Sequence, residues 1–175
     1  MGQKRMEKTE KQRIRRELRS HMAELEKTVR HASELLAEIT NLTSFATLED
    51  VRYMNLFLQG MTRIFAHPEY RTIEHARPFL EMVDNRETLA NELAERDEGL
   101  TITIGGENST RIVPGSTIIT ATYHIDGQVV GKLGVIGPTR MRYSEITSVI
   151  EYMSNNLDKA FKMVSEGGKD PDDEV

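Results

Sequence analysis

Residues 117–138 read TIITATYHIDGQVVGKLGVIGP, and their pattern sets the architecture of the C-terminal part of the chain. The first nine residues are rich in β-branched and aromatic side chains, which are typical of strands. Asp126-Gly127 is a dipeptide that strongly favours a two-residue hairpin turn. A second β-prone run follows, and Gly137-Pro138 closes it. The stretch therefore predicts two antiparallel strands joined by a tight turn.

The segments on either side of this hairpin extend it into a covered sheet. Residues 100–104, LTITI, alternate as a third strand does. Downstream, Ser144 is placed to cap a helix with a wide apolar face. That face consists of Ile146, Val149, Ile150, Met153, Leu157, Phe161 and Val164. We expect an α+β fold in which this helix covers a three-stranded antiparallel sheet, whose edges need further cover.

A long helix is predicted near the N-terminus, over residues 8–41. Its apolar positions follow one another in alternating steps of four and three, the spacing of a heptad seam. The seam consists of Leu18, Met22, Leu25, Val29, Ala32, Leu36 and Ile39. It can pack against a second copy of the helix or against the chain's own sheet. In the first alternative Leu25, Val29 and Leu36 form a dimer interface.

A cluster of short helices is predicted for the middle of the chain. Residues 41–46 indicate a break, after which Thr47 is placed to cap a new helix. The apolar stripe of that helix consists of Val51, Met54, Leu58, Met61 and Phe65. Further short helices are predicted over residues 72–83 and 86–96. If the long helix packs within its own chain, Met54 and Met61 are the better candidates for a dimer interface.

The charge of the chain is unevenly distributed. The formal net charge of −5 over 175 residues argues against a protein that coats nucleic acid through its overall charge. The first twenty residues are nevertheless basic, and Arg13, Arg15, Arg16 and Arg19 are candidates for an arm that contacts DNA phosphates. The alternative is a solvated helix face. Residues 166–175, EGGKDPDDEV, are acidic and predicted to be disordered.

Several classes of function are disfavoured by the composition. The chain has no cysteine, which excludes disulfides and thiolate chemistry. No apolar run is long enough for a membrane span or a signal peptide, so we expect a cytoplasmic protein. The five histidines lack metal-ligand spacing, and we expect neither a metal nor a cofactor. No nucleophile elbow or acid–base pair is recognisable, so we expect no enzymatic activity.

The turn that follows the hairpin has two interpretations. Residues 137–141, GPTRM, lie between a strand and a capped helix. In the first interpretation the turn is rigid and Arg140 ties down carbonyls or a carboxylate. In the second, Arg140 contacts an anion or another ligand near the helix N-terminus.

Residues 133–157 closely resemble the C-terminal signature of the HrcA-type heat-inducible transcription repressors. The core of that signature is Gly-Pro-Thr-Arg-Met-x-Tyr followed by a helix. Three other segments, residues 32–44, 65–84 and 104–108, also resemble the family, and the resemblance extends over residues 8–163. The core residues in this chain are Gly137, Pro138, Thr139, Arg140, Met141 and Tyr143.

The resemblance implies a stress-response regulator that represses transcription of chaperone operons. The family's build has an operator-reading winged helix, a GAF-like domain and an inserted helical dimerising domain. The implied partners are a second copy of the chain or a full-length repressor, operator DNA, and a GroEL-type chaperonin that promotes the active repressor. The alternative implied function is a GAF-like small-molecule sensor, or a modulator of a full-length repressor without DNA binding of its own.

The chain departs from the family pattern in two places. No segment resembles the winged helix, and the stretch between Ser44 and Thr47 leaves no room for the strands that the family places there. We therefore expect only a remnant of the GAF-like sheet. The predicted division is a basic arm and long helix (1–46), a helical dimerising domain (47–98), GAF-like strands with the last helix (99–165) and the acidic tail (166–175).

Overall fold

A computed structural model of the chain describes residues 7–49, 54–105 and 115–165. The prediction of disorder in residues 166–175 lies outside these ranges. The elements in chain order are α1 (Lys8–Thr40), β1 (Thr43–Glu49), β2 (Met54–Gln59), two 3-10 helices (Met61–Ala66 and Pro68–Tyr70), α2 (Ile73–Asp84), α3 (Arg86–Ala94), β3 (Thr101–Ile104), β4 (Ser116–Ile125), β5 (Gln128–Pro138) and α4 (Tyr143–Ser165).

The described strands form one antiparallel sheet in the order β2-β1-β5-β4-β3. The prediction of a three-stranded sheet is wrong, because β1 and β2 occupy the stretch where a helix capped by Thr47 was expected. Residues 44–47, where we expected no room for strands, lie within β1. The expected domain boundary at residue 46 falls inside β1.

The wrong prediction for β1 and β2 has a physical reason. β1 is an inner strand, and six of its seven residues are buried, so it shows no alternation of polar and apolar positions. Thr47 caps no helix; its Oγ1 accepts the backbone N–H of Lys132 on the neighbouring strand at 2.9 Å. In β2, Met54 and Leu58 lie four residues apart, a spacing that suits one face of a strand as well as one turn of a helix.

The central hairpin has the predicted turn. β4 pairs with β5, and Ile125 lies opposite Gln128 on either side of the two-residue loop. Asp126 and Gly127 have φ angles of 51° and 77°, the two positive values that this kind of turn requires. The final helix and the long N-terminal helix occupy the stretches predicted for them.

One face of the sheet, called the α1/α4 face below, is covered by the two long helices. Val29 and Leu36 are fully buried there, so this part of the α1 seam packs within its own chain. The buried cluster on this face also contains side chains from every part of the layer: Leu42, Ala46, Leu48, Ile119, Ala121, Tyr123, Leu133, Val135, Ile146, Ile150, Leu157 and Phe161.

The other face, called the α2/α3 face, is covered by the 3-10 helices, α2 and α3. Neighbouring strand residues alternate between the two clusters, as Phe45 and Ala46 or Ile118 and Ile119 do. The buried cluster on this face contains Phe45, Leu56, Ile64, Tyr70, Ala76, Phe79, Val83, Leu89, Ala90, Leu93, Ile118 and Ile136. The described part of the chain is therefore a sheet between two helical layers.

A buried lysine also fastens the second layer to the sheet. Lys132 on β5 is 3% exposed, and its Nζ donates to the carbonyls of Leu93 at 2.8 Å, Ala94 at 2.9 Å and Arg96. The last carbonyls of a helix have no partner within the helix, so the ammonium satisfies groups at the end of α3. Burial lowers the pKa of Lys132 below its ordinary value.

Candidate functional site

The signature turn begins where β5 ends. Gly137 is the last residue but one of the strand and pairs with Thr117 of β4. A Cβ atom on Gly137 would lie 2.9 Å from Leu42 Cδ2 and 2.9 Å from Met141 Sδ, which is closer than such contacts allow. Glycine at this position therefore lets the start of β1 and the signature turn approach each other closely.

Tyr143 fixes the far side of the turn. Its hydroxyl donates a hydrogen bond to the carbonyl of Thr139. The Thr117 hydroxyl lies 3.3 Å from the same oxygen and is placed to donate to it. These contacts tie the beginning of α4 to both Thr139 and β4. Arg140 lies in the turn between Thr139 and Tyr143, and the hydrogen bond between these two residues closes the turn.

The joint between α1 and β1 forms the opposite wall. Asn41 ends α1 in the left-handed conformation, with φ 54° and ψ 36°. Arg63 Nη1 donates to Asn41 Oδ1 at 3.1 Å, and His67 Nε2 donates to the Asn41 carbonyl at 3.0 Å. The first 3-10 helix and the residue after it therefore hold the end of α1 in place.

The two walls enclose an open cleft of about 450 Å³, called the signature cleft below. Its apolar surface comes from both long helices, from Leu42 between α1 and β1, and from the turn. The lining residues are Ile39, Thr40, Asn41, Leu42, His67, Arg140, Met141, Arg142, Glu145, Ile146 and Val149. Leu42 and Ile146 are 3% and 9% exposed, whereas Ile39 is 55% exposed.

The cleft has a cationic edge. Arg142 Nη1 lies 3.7 Å from Glu145 Oε2, an exposed pair that is worth little to stability. Arg140 is exposed, and no described residue forms a hydrogen bond or an ion pair with it. The positive end of the α4 dipole lies in the same region, since Glu145 and Ile146 belong to the first turn of that helix.

A family model described as "HrcA protein C terminal domain" matches residues 3–147, which include the whole signature turn. The chain belongs to the HrcA family. The HrcA proteins that it resembles are curated as "Heat-inducible transcription repressor HrcA". That of Clostridium tetani is 41% identical over 107 residues, which cover 61% of this chain and 30% of the relative. That of Clostridioides difficile is 39% identical over 126 residues, which cover 70% and 36%.

The alignments cover only part of each of these HrcA proteins. The chain spans about a third of the length of the curated relatives it matches. A likeness to a solved structure supports the fold independently of the sequence. A crystal structure of a hypothetical protein superposes with a TM-score of 0.64 at 14% identity, over 79% of this chain and 70% of that chain.

The residues proposed for an HrcA dimer interface have different surroundings. Val29 and Leu36 lie in the core of their own chain and present no surface to a partner. Leu25 and Met54 are half-buried against the two clusters. Met61 is 42% exposed and lines a second cleft of about 470 Å³, called the α2 cleft. The α2 cleft is lined by Met61, Ile73, Arg77, Leu80, Glu81, Val83, Asp84 and Arg86.

The basic residues lie on the first half of α1. Arg13 and Arg16 are exposed there, and the side chains of Arg15 and Arg19 lie outside the described set. All side chains described between residues 8 and 21 are exposed, so this half of the helix extends away from the sheet. The structure therefore separates the basic residues from the signature turn at the other end of α1.

The described histidines have local roles. His67 donates to the Asn41 carbonyl. His75 Nδ1 lies 2.5 Å from Thr72 Oγ1. His124 Nδ1 lies 3.3 Å from Asp158 Oδ2, and His124 Nε2 lies 3.3 Å from Glu98 Oε1. Within the described ranges no group of three His, Asp or Glu residues is placed to hold a metal ion. Over the same residues no helix is long and apolar enough to cross a membrane.

Three residues of the site escaped the sequence analysis. Asn41 carried a signal, because asparagine after the last helical residue favours the left-handed conformation. Arg63 and His67 carried none, since they reach Asn41 only once the first 3-10 helix has packed beside β1.

Proposed function

We propose that this chain is a dimerising and regulatory part of a heat-inducible transcription repressor. The observation that carries the proposal is the family match over residues 3–147. The curated relatives bear the name of such a repressor, and the chain corresponds to about a third of their length. The function assigned to the chain is dimer formation and control of repression. Operator DNA and a GroEL-type chaperonin are proposed partners of the complete repressor.

The α2 cleft is the surface proposed for the dimer. Three large apolar side chains are exposed in this part of the chain: Met61 at 42%, Phe65 at 47% and Ile73 at 70%. Met61 and Ile73 line the cleft together with the half-buried Leu80. Exposed apolar side chains grouped around a groove are typical of surfaces that bind another protein. A second copy of the chain is the proposed occupant.

Light scattering after size-exclusion chromatography tests this surface. The unmodified chain is expected to elute with twice the mass of one chain. The double variant Met61→Glu, Ile73→Glu places two charges in the groove, and we expect a monomer. Leu35→Glu is the matched control, because Leu35 is 42% exposed on α1. A dimer that survives the double variant but not Leu35→Glu would move the interface to α1.

A second measurement separates regulation from DNA reading. Fluorescence anisotropy would compare the chain on an inverted-repeat operator and on a scrambled duplex at physiological salt. Weak and equal binding supports a role in dimerisation and control. A pull-down with a full-length family member then tests whether the chain forms a mixed dimer, which would present one operator-reading domain instead of two and bind paired half-sites poorly. Selective operator binding by the chain alone would contradict the proposal that the chain dimerises and regulates without reading DNA.

The exposed Arg13 and Arg16 favour a second candidate function, a phosphate-contacting arm. Binding of this kind depends steeply on salt and is nearly independent of sequence. Neutralising Arg13, Arg15, Arg16 and Arg19 together would abolish it. If affinity for a scrambled duplex is unchanged in that variant, the arm is a solvated helix face.

A further inference from the structure

We propose that the signature cleft binds a small amphipathic carboxylate, a molecule with an apolar body and one carboxylate group. Such binding would add a ligand to the chain beyond its proposed dimerising role, and it requires neither a partner chain nor DNA. It rests on three properties of the cleft, which are its apolar surface, an exposed arginine for which no described residue supplies a partner, and walls held by hydrogen bonds.

The apolar surface matches the body of such a ligand. Leu42, Met141, Ile146 and Val149 line the cleft, and Ile39 beside them is 55% exposed. Covering Ile39 with an apolar group would remove that side chain from water, which favours binding. The volume of about 450 Å³ lies within the range of clefts that hold small molecules. A small inorganic anion would leave this apolar surface uncovered.

The charges at the edge favour a carboxylate. Arg142 already has Glu145 as a partner, and His67 donates to Asn41. Arg140 is the lining arginine for which no described residue supplies a partner. A guanidinium presents paired donors that match the two oxygens of a carboxylate. The first turn of α4 adds a favourable dipole at the same edge.

Hydrogen bonds within the chain hold the walls of the cleft. Tyr143 holds Thr139 on one side of Arg140, and Arg63 and His67 hold Asn41 on the other side of the cleft. A binding site that needs little ordering loses less entropy when the ligand enters. The missing side chain at Gly137 leaves room for Leu42 and Met141 between the two walls.

Amide chemical shifts of the ¹⁵N-labelled chain test the proposal, with octanoate and phenylacetate as probes. We expect saturable shifts at Ile39, Leu42, Met141 and Ile146. Octylamine has the same number of carbon atoms as octanoate and the opposite charge at its end, and we expect no saturable shift from it. Arg140→Gln should weaken octanoate binding about tenfold, the effect of losing one charge-assisted hydrogen bond. Arg71→Gln, at an exposed arginine outside the cleft, should leave it unchanged.

A second variant keeps the test independent of Arg140. Ile39→Asp places a negative charge in the cleft at an exposed position, so it should abolish octanoate binding without unfolding the chain. Its circular dichroism and its oligomeric state should equal those of the unmodified chain, which separates ligand binding from dimerisation. Equal binding of octanoate and octylamine, equal effects of Arg140→Gln and Arg71→Gln, or no saturable shift at millimolar octanoate would each overturn the proposal. An acidic peptide that binds in the cleft while both probes fail would overturn it in favour of a protein partner.

Discussion

Each face of the sheet contains one buried tyrosine packed against one buried phenylalanine. On the α1/α4 face Tyr123 and Phe161 have ring centroids 5.6 Å apart and planes inclined by 48°. On the α2/α3 face Tyr70 and Phe79 are also 5.6 Å apart, with planes inclined by 53°. The two pairs have the same composition and spacing, so their different attachments to the sheet can be compared directly.

The pairs differ in what they connect. Tyr123 belongs to β4 and Phe161 to α4, so that pair joins a helix to the sheet by apolar contact. Tyr70 and Phe79 both lie outside the sheet, and Tyr70 reaches it through a 3.0 Å hydrogen bond to Ser116 Oγ. Lys132 adds its three carbonyl contacts on the same face. The aromatic pair of the α2/α3 layer is therefore joined to the sheet by a hydrogen bond, whereas that of the α1/α4 layer includes a residue of the sheet; polar contacts join both layers to the sheet, as His124 and Asp158 do on the α1/α4 face.

The largest effect is expected from removing the two phenylalanines. Phe161→Ala and Phe79→Ala each remove a side chain that is at most 1% exposed, and each should lower the free energy of unfolding by about 3–5 kcal/mol. Chemical denaturation measures both. Tyr152→Ala is the control, because Tyr152 is 73% exposed and its loss should cost less than about 1 kcal/mol.

Hydrogen exchange on the same variants would sharpen the comparison. Phe79→Ala should release the amides of α2 and α3 while α4 stays protected, because a separate cluster holds each layer. Equal loss of protection in α4 would show that the two layers unfold as one unit.

A smaller effect is expected at the polar anchor of the α2/α3 layer. Lys132→Met removes the ammonium that donates to the carbonyls of Leu93, Ala94 and Arg96, of which the Leu93 carbonyl also accepts from the Arg96 N–H; the loss should cost about 2–3 kcal/mol. The exchange of α3 amides should rise more than that of α4. Lys159→Met, at an exposed lysine of α4, is the control and should change stability by less than about 0.5 kcal/mol. A stability equal to that of the control would mean that apolar contacts alone hold α3.

The smallest effect is expected from the tyrosine hydroxyl on the α2/α3 face. Tyr70→Phe removes the hydrogen bond to Ser116 and should cost about 1 kcal/mol at neutral pH. Burial raises the pKa of Tyr70, with a hydrogen bond to Ser116 acting in the opposite direction. The unfolded chain therefore loses this proton first, and stability falls as the pH rises above about 10.

Alkaline denaturation of the same variant tests that sign. Tyr70→Phe should show a shallower loss of stability above pH 10 or so, with the remainder due to Tyr123, whose pKa burial also raises. Tyr152→Phe is the control, because Tyr152 is 73% exposed. An unchanged slope in Tyr70→Phe would place the whole alkaline effect elsewhere.

The two faces also explain which elements could be predicted from the sequence. α4 presents one wide apolar face to the sheet, and the β4–β5 hairpin carries an Asp-Gly turn, so local patterns were sufficient for both. β1 is buried on both sides and pairs with β2 and with β5, and β5 is distant in sequence. Its partners, and so the number of strands, could not be read from local periodicity.

The candidate site was predicted in part. Gly137, Arg140 and Tyr143 were identified from the signature, and the structure places all three around one turn. The wall formed by Asn41, Arg63 and His67 was not predicted. It arises from contacts between residues that are separated by 22 and 26 positions in the chain. The role of Lys132 was missed for the same reason, since its acceptors lie more than 35 residues away.

The length of α1 has a mechanical consequence. Its 33 residues make a rod about 50 Å long, with one end at the signature cleft and the basic residues near the other. From Met22 onward α1 packs against the chain's own core, so the part that extends from the sheet is residues 8–21, a rod about 21 Å long, and a tilt of about 10° where it leaves the sheet moves its tip by about 4 Å. In a symmetric pair of chains the two tips would separate by up to twice that distance. A change of direction where α1 leaves the sheet would be largest at the N-terminal tip, where a pair of spectroscopic labels would detect it.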